Sequence, residues 1–346
     1  MTHRLAVRLD SLGDVLLTGP AIRALRATCD RLTLLCGPRG EAAARLLPAV
    51  DDIVVWRAPW IDPEPDPVDP ADIAALGERI AAAEVDEAVV FTSFHQSPLP
   101  TALVLRSAGV GWIGAVSHDY AGSLLDVRLH PPEPMPEPLA QLRLAEACGG
   151  ALPPGDDGRL ALRAPLGPAS ERSRYVVLHP GTSVPARAWP GHRYAELAAA
   201  LVARGVEVVV TGTPAERPLT AAVAAAAPEA ADLGGRTDLA GLAAVLRRAR
   251  VVVAGNTGPA HLAAAVGTPV VSVFAPTVPA ECWAPYGVAR VVLGDQWAPC
   301  AATRATTCPV PGHPCLTSVT ADTVVEAIES LVPDVVHPRP EEGVAS

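Results

Sequence analysis

Short apolar runs alternate along the chain with longer segments whose apolar residues recur at helical spacing. In the first half, the runs predict strands at 4–9, 32–36, 53–56 and 87–92, and the spaced segments predict helices at 12–27, 71–84, 99–108 and 139–148. Strands that alternate with helices are typical of a parallel, doubly wound sheet. The first half is therefore predicted to be an α/β domain.

The same alternation restarts after a polar segment rich in proline and glycine. Strands are predicted at 175–181, 206–212 and 250–255 and in the VVSVF run that follows Pro269, with helices at 192–205, 214–227 and 238–248. The pattern predicts two Rossmann-like domains with this division: 1–160, a linker at 161–173, a second domain at 174–318, a C-terminal helix at 319–333 and a disordered tail at 334–346. In such folds ligands bind at the carboxyl ends of the strands.

Composition narrows the classes of function. A length of 346 residues exceeds what one core usually supports, which also favours two domains. The chain lacks a strongly apolar run long enough for a membrane span, and its charged first residues do not resemble a signal peptide, so a cytoplasmic protein is expected. A net charge of −10 argues against nucleic acid as the main partner.

All 27 basic residues are arginines, which excludes Schiff-base chemistry through lysine and a P-loop lysine. A bound phosphate would be held by arginine, hydroxyl and backbone groups. Seven cysteines, an odd number, do not indicate a disulfide framework in a cytosolic chain.

The first candidate loop is DSLGDVLLT at 10–18. Gly13 allows a sharp turn, and Asp14 follows at the predicted start of a helix, where the helix dipole favours its ionised form. One interpretation is a base at the strand end; the alternative is an ordinary acidic residue in a first helical turn.

Two further loops offer groups suited to a nucleotide. HPGTSVPARAWPGHRY at 179–194 provides the hydroxyls of Thr182 and Ser183 and the guanidinium of Arg187, which suit a pyrophosphate. VVVTGTPAER at 208–217 places Glu216 just after a strand, where it could accept ribose hydroxyls. A solvated arginine and an ordinary first-turn glutamate are the alternatives.

The stretch AGNTGPAHLAAAVGTP at 254–269 follows a buried strand and predicts a helix that begins at Pro259. Such a layout aims a row of free backbone N–H groups at a ligand, together with Asn256, Thr257, Gly258 and His261, and suits a phosphate. The alternative is a tight connection that simply needs its glycines.

Two other segments carry polar groups. FTSFHQSP at 91–98 offers His95, Gln96 and Ser97 as contacts for an acceptor substrate, with a solvated loop as the alternative.

CAATRATTCPVPGHPC at 300–315 holds Cys300, Cys308, His313 and Cys315, which predicts either a structural zinc site or buried free thiols. The spacing lacks the close cysteine pair of most structural zinc sites.

Taken together, the loops resemble glycosyltransferase family 9, the ADP-heptose:lipopolysaccharide heptosyltransferase family. The family's SxxGD-type motif matches Ser11 to Asp14, its PGxS…K/R-x-WP loop matches Pro180 to Pro190, and its GGPxE-type turn matches Thr211 to Glu216. The signature (D/N)TGPxHLAAALGTP matches Asn256 to Pro269. Order and spacing agree over nearly the whole chain, and some heptosyltransferases carry a similar cysteine-rich segment.

The resemblance implies a GT-B fold, in which two Rossmann-like domains face a central cleft, and an inverting transfer that needs no metal or other cofactor. The N-terminal domain would bind a glycan or small-molecule acceptor and the C-terminal domain an ADP-sugar, usually ADP-heptose. Asp14 would be the general base. The donor would be bound by the residues of the second domain's loops: Thr182, Ser183, Arg187, Glu216, Asn256, Thr257, Gly258 and His261.

Two departures limit the analogy. Many family members have Asp where this chain has Asn256, and the 91–98 loop differs from that of the lipopolysaccharide enzymes, so the acceptor stays open. A nucleotide-sugar epimerase or hydrolase of the same fold, and a binder of ADP-sugars without catalytic activity, remain alternatives.

Overall fold

The computed structural model describes residues 1–163 and 175–336, and the chain divides into two compact units between Arg163 and Ala164. The predicted linker at 161–173 and tail at 334–346 fall mostly outside the described residues. The first residues of that tail belong to a short helix, Pro333–Val336.

The first unit is built on a six-stranded parallel sheet with strand order β3-β2-β1-β4-β5-β6. Its strands are β1 (His3–Arg8), β2 (Arg31–Cys36), β3 (Asp52–Val55), β4 (Glu87–Val90), β5 (Trp112–Val116) and β6 (Val127–Leu129). The central strands are buried on both faces, which is why they read as nearly continuous apolar runs.

Helices connect these strands: α1 (Leu12–Leu17), α2 (Gly19–Arg26), α3 (Glu41–Ala44), α4 (Pro70–Ala82), α5 (Leu99–Ser107) and α6 (Glu137–Ala147). The helix predicted at 12–27 is divided at Thr18. Pro20 has no N–H to continue the helical hydrogen bonds, and the Thr18 hydroxyl donates to the Asp14 carbonyl at 2.8 Å.

The second unit repeats this design, with strand order β12-β11-β10-β7-β8-β9. The strands are β7 (Val176–His179), β8 (Val208–Val210), β9 (Ala231–Asp232), β10 (Val251–Gly255), β11 (Val270–Val273) and β12 (Arg290–Leu293). Its helices are α7 (Gly191–Val202), α8 (Arg217–Ala225), α9 (Leu239–Arg248), α10 (Gly258–Ala265), α11 (Ala280–Trp283), α12 (Pro314–Thr317), α13 (Ala321–Leu331) and α14 (Pro333–Val336).

Counted within each unit, both sheets have the strand order 3-2-1-4-5-6 of a dinucleotide-binding fold. The two doubly wound Rossmann-like units expected from the sequence are confirmed. The order reverses between β1 and β4 in the first unit and between β7 and β10 in the second, and ligands of such sheets bind at this point. Each unit therefore has one favoured binding edge. No helix within residues 1–163 and 175–336 is long and apolar enough to cross a membrane.

Candidate functional site

Asp14 lies at the reversal point of the first sheet, in the first turn of α1 just after β1. Both of its carboxylate oxygens accept hydrogen bonds. Ser11 Oγ donates to Oδ2 at 2.8 Å, and Arg8 Nη2 donates to Oδ1 at 3.2 Å. The side chain keeps 21% of its surface exposed, so the carboxylate is both fixed and reachable.

Arg8, the last residue of β1, is fully buried and surrounded by acidic groups. Besides Asp14, its guanidinium contacts Asp10 (Nε to Oδ2, 2.9 Å) and Glu137 (Nη2 to Oε1, 3.3 Å). Burial opposes the charged guanidinium, but the three carboxylates more than offset this, so the pKa of Arg8 lies above its ordinary value. Burial raises the pKa of Asp10 and of Glu137, and the positive charge of Arg8 acts in the opposite direction.

The loop after β4 contacts this cluster from the neighbouring strand. Ser93 Oγ lies 3.0 Å from Arg8 Nη2 and 3.3 Å from Asp10 Oδ2. Gln96 donates from Nε2 to Asp10 Oδ1 and accepts the Ser93 N–H at 3.0 Å. Both polar ends of the Gln96 amide are thus bonded within the protein, and its role as an acceptor contact stays a prediction.

The other two acceptor candidates of this loop differ in their surroundings. Ser97 Oγ accepts the Leu99 N–H at 3.3 Å, at the start of α5, which also favours a local structural role. His95 is exposed and packs edge-on against Phe94, with ring centroids 5.4 Å apart, and Phe94 keeps 47% of its surface exposed. The exposed surface of this loop is therefore formed by Phe94 and His95.

In the second unit, the three candidate donor loops follow β10, β7 and β8, which are consecutive neighbours in the sheet. Two glycines show how closely the loops pack. A Cβ at Gly181 would collide with the Glu216 carboxylate, and one at Gly255 would lie 3.2 Å from the Arg187 carbonyl oxygen. The structure therefore brings the groups predicted to bind the donor to one edge of the second sheet.

Asn256 and Thr257 carry polar atoms with no partner among the described residues. Asn256 is 6% exposed, and neither atom of its amide is hydrogen-bonded; Thr257 Oγ1 is also buried and unbonded. Thr257 is the N-cap residue of α10 but makes no side-chain cap bond. A buried polar group without a partner is unfavourable, so these atoms indicate a ligand that supplies the missing bonds.

The start of α10 offers fewer free N–H groups than the sequence suggests. The helix begins at Gly258, one residue earlier than expected, and Pro259 has no N–H. The Thr257 N–H donates to the Gly255 carbonyl at 2.9 Å and that of Ala260 to the Thr257 carbonyl at 3.1 Å. Fewer backbone N–H groups are therefore available to a ligand here than the sequence predicts. His261 lies buried in the first turn.

The loop after β7 is anchored by the core. Trp189 is buried, donates from Nε1 to the Val319 carbonyl at 3.0 Å and packs edge-on against Tyr194. Just before it, Arg187 ends a short 3₁₀ turn, Pro185–Arg187.

The same loop carries two hydroxyl groups. Thr182 Oγ1 accepts the Val184 N–H at 3.2 Å, whereas Ser183 is exposed. The Ser183 hydroxyl is therefore the more accessible of the two to a ligand.

Glu216 caps a short helical turn and also lies beside the loop after β7. Its Oε2 accepts the Thr213 N–H at 2.7 Å in a capping box, while the carboxylate lies over Gly181 at the donor edge.

Sequence analysis missed His179, the last residue of β7. Burial lowers its pKa to about 4 although the Glu216 charge opposes this, and its Nδ1 lies 3.0 Å from Thr211 Oγ1.

The cysteine-rich segment does not form a metal site. Throughout the described ranges, no group of three or more His, Cys, Asp and Glu side chains is arranged to hold a metal ion. His313 Nε2 lies 3.0 Å from the Ala186 carbonyl oxygen, and Cys308 Sγ donates to the Val310 carbonyl at 3.3 Å. Cys300 and Cys315 are buried in the apolar core. The zinc hypothesis is not supported, and the alternative of free thiols fits.

Comparisons with known proteins agree with this architecture. The sequence model of Glycosyltransferase family 9 (heptosyltransferase) matches residues 154–313. Lipopolysaccharide heptosyltransferase 1 of Pseudomonas aeruginosa is 40% identical over 147 residues, which span 42% of this chain and 41% of that protein. Lipooligosaccharide heptosyltransferase 2 of Haemophilus influenzae is 32% identical over 100 residues, 28% of this chain and 29% of that protein. These matches thus span less than half of each relative.

Solved structures match over nearly the full chain. A glycosyl transferase family 9 protein from Veillonella parvula superposes with a TM-score of 0.74 at 16% identity, covering 96% of this chain and 97% of that one. The E. coli heptosyltransferase WaaC with ADP-2-deoxy-2-fluoro heptose gives a TM-score of 0.70 at 22% identity, covering 95% and 99%. These likenesses establish the fold, which is of the GT-B type, and the second unit carries most of the region that matches the glycosyltransferase family 9 sequence model.

Proposed function

We propose that the protein is an inverting glycosyltransferase that moves a heptose or a related sugar from an ADP-sugar to a hydroxyl of a glycan or small-molecule acceptor, without a metal. The observation that carries this proposal is the donor edge of the second sheet. There the unbonded atoms of Asn256 and Thr257 lie on the loop after β10, whose Gly255 packs against the Arg187 backbone of the loop after β7. The names of the relatives, heptosyltransferases, support the choice of donor.

In this proposal the second unit holds the donor. Arg187 and the N-terminal end of α10 stabilise the charge that develops on the leaving diphosphate, with Thr182 and Ser183 beside them. Glu216 accepts from the ribose through the oxygen that the capping box leaves free. Asn256 supplies one donor and one acceptor to the bound sugar nucleotide, and Thr257, Gly258 and His261 complete the site.

The first unit supplies the base. A sugar hydroxyl hardly ionises at neutral pH, so a positioned carboxylate contributes typically 10²–10⁴-fold as the proton leaves in the transition state. The hydroxyl proton passes to Asp14, the hydroxyl oxygen forms a bond to the anomeric carbon from the face opposite the leaving group, and the carbon–oxygen bond to the diphosphate breaks with its electron pair on ADP. A single base suffices because the leaving group is already good.

The acceptor is expected to lie along the exposed surface near Asp14. Phe94 and His95 provide an aromatic face there, of the kind on which a sugar ring packs through its C–H groups. Because relatives such as lipopolysaccharide heptosyltransferase 1 are named for lipopolysaccharide, deacylated lipopolysaccharide that lacks heptose is the first acceptor to test.

Incubation with ADP-heptose tests the proposal against its alternatives. The transferase releases ADP only when the acceptor is added and gives a glycoside of inverted anomeric configuration. Release of free heptose without acceptor identifies a hydrolase, altered sugar stereochemistry identifies an epimerase, and binding without turnover over a panel of acceptors identifies a binder.

Calorimetry with ADP and UDP tests the nucleotide. Tighter binding of ADP is expected; equal affinities would contradict the adenine assignment. ADP binding that disappears with EDTA would contradict metal independence.

A further inference from the structure

The two oxygens of the Asp14 carboxylate are held by groups from two different places. Arg8 Nη2 donates to Oδ1 at 3.2 Å, and Ser11 Oγ donates to Oδ2 at 2.8 Å. Ser11 is the N-cap residue of α1, yet its hydroxyl makes no cap bond with the backbone and is directed to the carboxylate. The orientation of Asp14 therefore depends on Arg8 and Ser11 rather than on helix capping.

Arg8 is itself immobile. Its side chain has no exposed surface, its Nε lies 2.9 Å from Asp10 Oδ2 in an ion pair, and its Nη2 donates to Ser93 Oγ at 3.0 Å. Gln96 in turn holds Asp10, so the guanidinium is fixed by the loops that follow both β1 and β4. A donor fixed in this way determines where its acceptor oxygen lies.

The three carboxylates around Arg8 differ in their access to solvent. The side chains of Asp10 and Glu137 are 9% and 8% exposed, whereas that of Asp14 is 21% exposed. Two buried carboxylates already satisfy the charge of one buried guanidinium, so the cluster has no structural need for a third. Asp14 is the member of the cluster that faces outward.

We propose that Arg8 is a positioning residue for the transfer reaction, which fixes Oδ1 of Asp14 while Ser11 fixes Oδ2. This inference rests on the proposed function, in which Asp14 is the base. The charged groups that face Asp14 are Arg8 on β1, Asp10 in the loop after β1 and Glu137 on α6. Arg8 is the one positive charge among them, and without it the two remaining neighbours repel a third carboxylate.

The test is steady-state transfer from ADP-heptose to deacylated, heptose-free lipopolysaccharide, with kcat and KM measured separately. In Arg8→Met kcat should fall about tenfold or more because the base is no longer fixed. KM for ADP-heptose should stay the same within about twofold, and Arg8→Lys should restore part of kcat.

Ser11→Ala is the second variant, because Arg8→Met leaves buried carboxylates without their partner and can prevent folding. Ser11 is exposed, so its replacement should not disturb the core. In Ser11→Ala kcat should also fall, by a smaller factor, with KM for ADP-heptose unchanged, since one of the two hydrogen bonds that fix Asp14 is lost. Arg23→Met is the matched control: Arg23 pairs with Asp156 in the same unit at 2.5 and 2.8 Å and does not contact Asp14.

The outcomes separate this inference from the proposed function. A lower kcat with unchanged KM in Arg8→Met, or in Ser11→Ala alone if the first variant does not fold, with kcat unchanged in Arg23→Met, supports the positioning role. An unchanged kcat in every folded variant, with Asp14→Asn inactive, would overturn the inference and leave Asp14 as base. Full activity of Asp14→Asn would instead overturn the base assignment itself.

Discussion

His313 Nε2 lies 3.0 Å from the carbonyl oxygen of Ala186, the residue directly before Arg187. The Ala186 N–H donates to the Thr306 carbonyl at 2.9 Å, so both polar backbone groups of Ala186 are bonded to the cysteine-rich segment. The segment that suggested a zinc site in the sequence supports the loop that carries Arg187, which we propose binds the donor.

Replacing His313 by Ala should therefore weaken ADP binding by about two- to tenfold, the loss expected for one hydrogen bond, and EDTA should change nothing. Calorimetry of ADP binding with and without chelator measures both effects. Cys308→Ser, which alters a thiol of the same segment that donates to the Val310 carbonyl, is the control and should bind ADP normally. If chelation rather than the His313 substitution abolished binding, the segment would act through a metal.

Arg187→Ala should weaken donor binding by about 1.5–3 kcal/mol, as expected for a lost charge-assisted bond to the diphosphate. The dissociation constant of ADP, measured by calorimetry, should rise by roughly tenfold or more. Arg193→Ala is a matched control from the same unit, because Arg193 pairs with Glu196 on the surface at 2.9 Å. Equal dissociation constants for the parent and Arg187→Ala would mean that Arg187 does not touch the donor.

Asn256→Leu should have opposite effects on the free and the bound protein. Without ligand, removal of a buried amide that has no partner among the described residues should raise Tm by roughly 2–4 °C. The further rise that ADP-heptose produces should become smaller, since the amide no longer bonds to the donor. Thermal unfolding with and without ADP-heptose measures both. A less stable free protein with unchanged ligand stabilisation would show that Asn256 is structural.

His179 should make the stability of the protein depend on pH. Burial lowers its pKa to about 4 from the ordinary 6.5, so the unfolded chain binds more protons than the folded one between these values. The stabilisation from neutral His179 is complete above pH 6.5 and is lost as the pH falls toward 4, by roughly 1.4 kcal/mol for each unit in this range. Thermal unfolding at several pH values should show a shallower decline in His179→Asn than in the parent.

His192→Asn is the control for that comparison, because His192 is exposed in the same unit. Its decline in Tm should match that of the parent. Identical slopes for the parent and His179→Asn would mean that His179 does not titrate differently on folding.

The sequence predicted the repeated architecture well, because buried parallel strands leave unbroken apolar runs such as 251–254 and 176–178. It did not predict β5, β6, β9 or β12. β5 has the sequence WIGAV, in which Gly114 breaks the apolar run, and β6, β9 and β12 are short or lie at or near the edges of the sheets. Edge strands bury less apolar surface, and their sequences are correspondingly less distinct.

The site was predicted less completely. Asp14 and the donor loops were found from strand ends and glycines, but Arg8 and Glu137 were not. They lie 129 residues apart in the chain and meet because α6, which follows a proline-rich stretch and begins at Glu137, is packed against α2. A pairing of this kind has no local signal in the sequence. An arginine at the end of an otherwise apolar strand was the available hint, since a buried arginine requires buried partners.

The most direct test of the account is the effect of Asp14→Asn on catalysis and on binding. The substitution keeps the size of the side chain and much of its hydrogen bonding but removes its basicity. The rate of heptose transfer from ADP-heptose should fall by about 10²–10⁴-fold, while the ADP-heptose dissociation constant from calorimetry stays the same within about twofold. Transfer within a few-fold of the parent rate would show that another group takes the proton, and a lost donor affinity would show that Asp14 acts structurally; either result would contradict its assignment as the base.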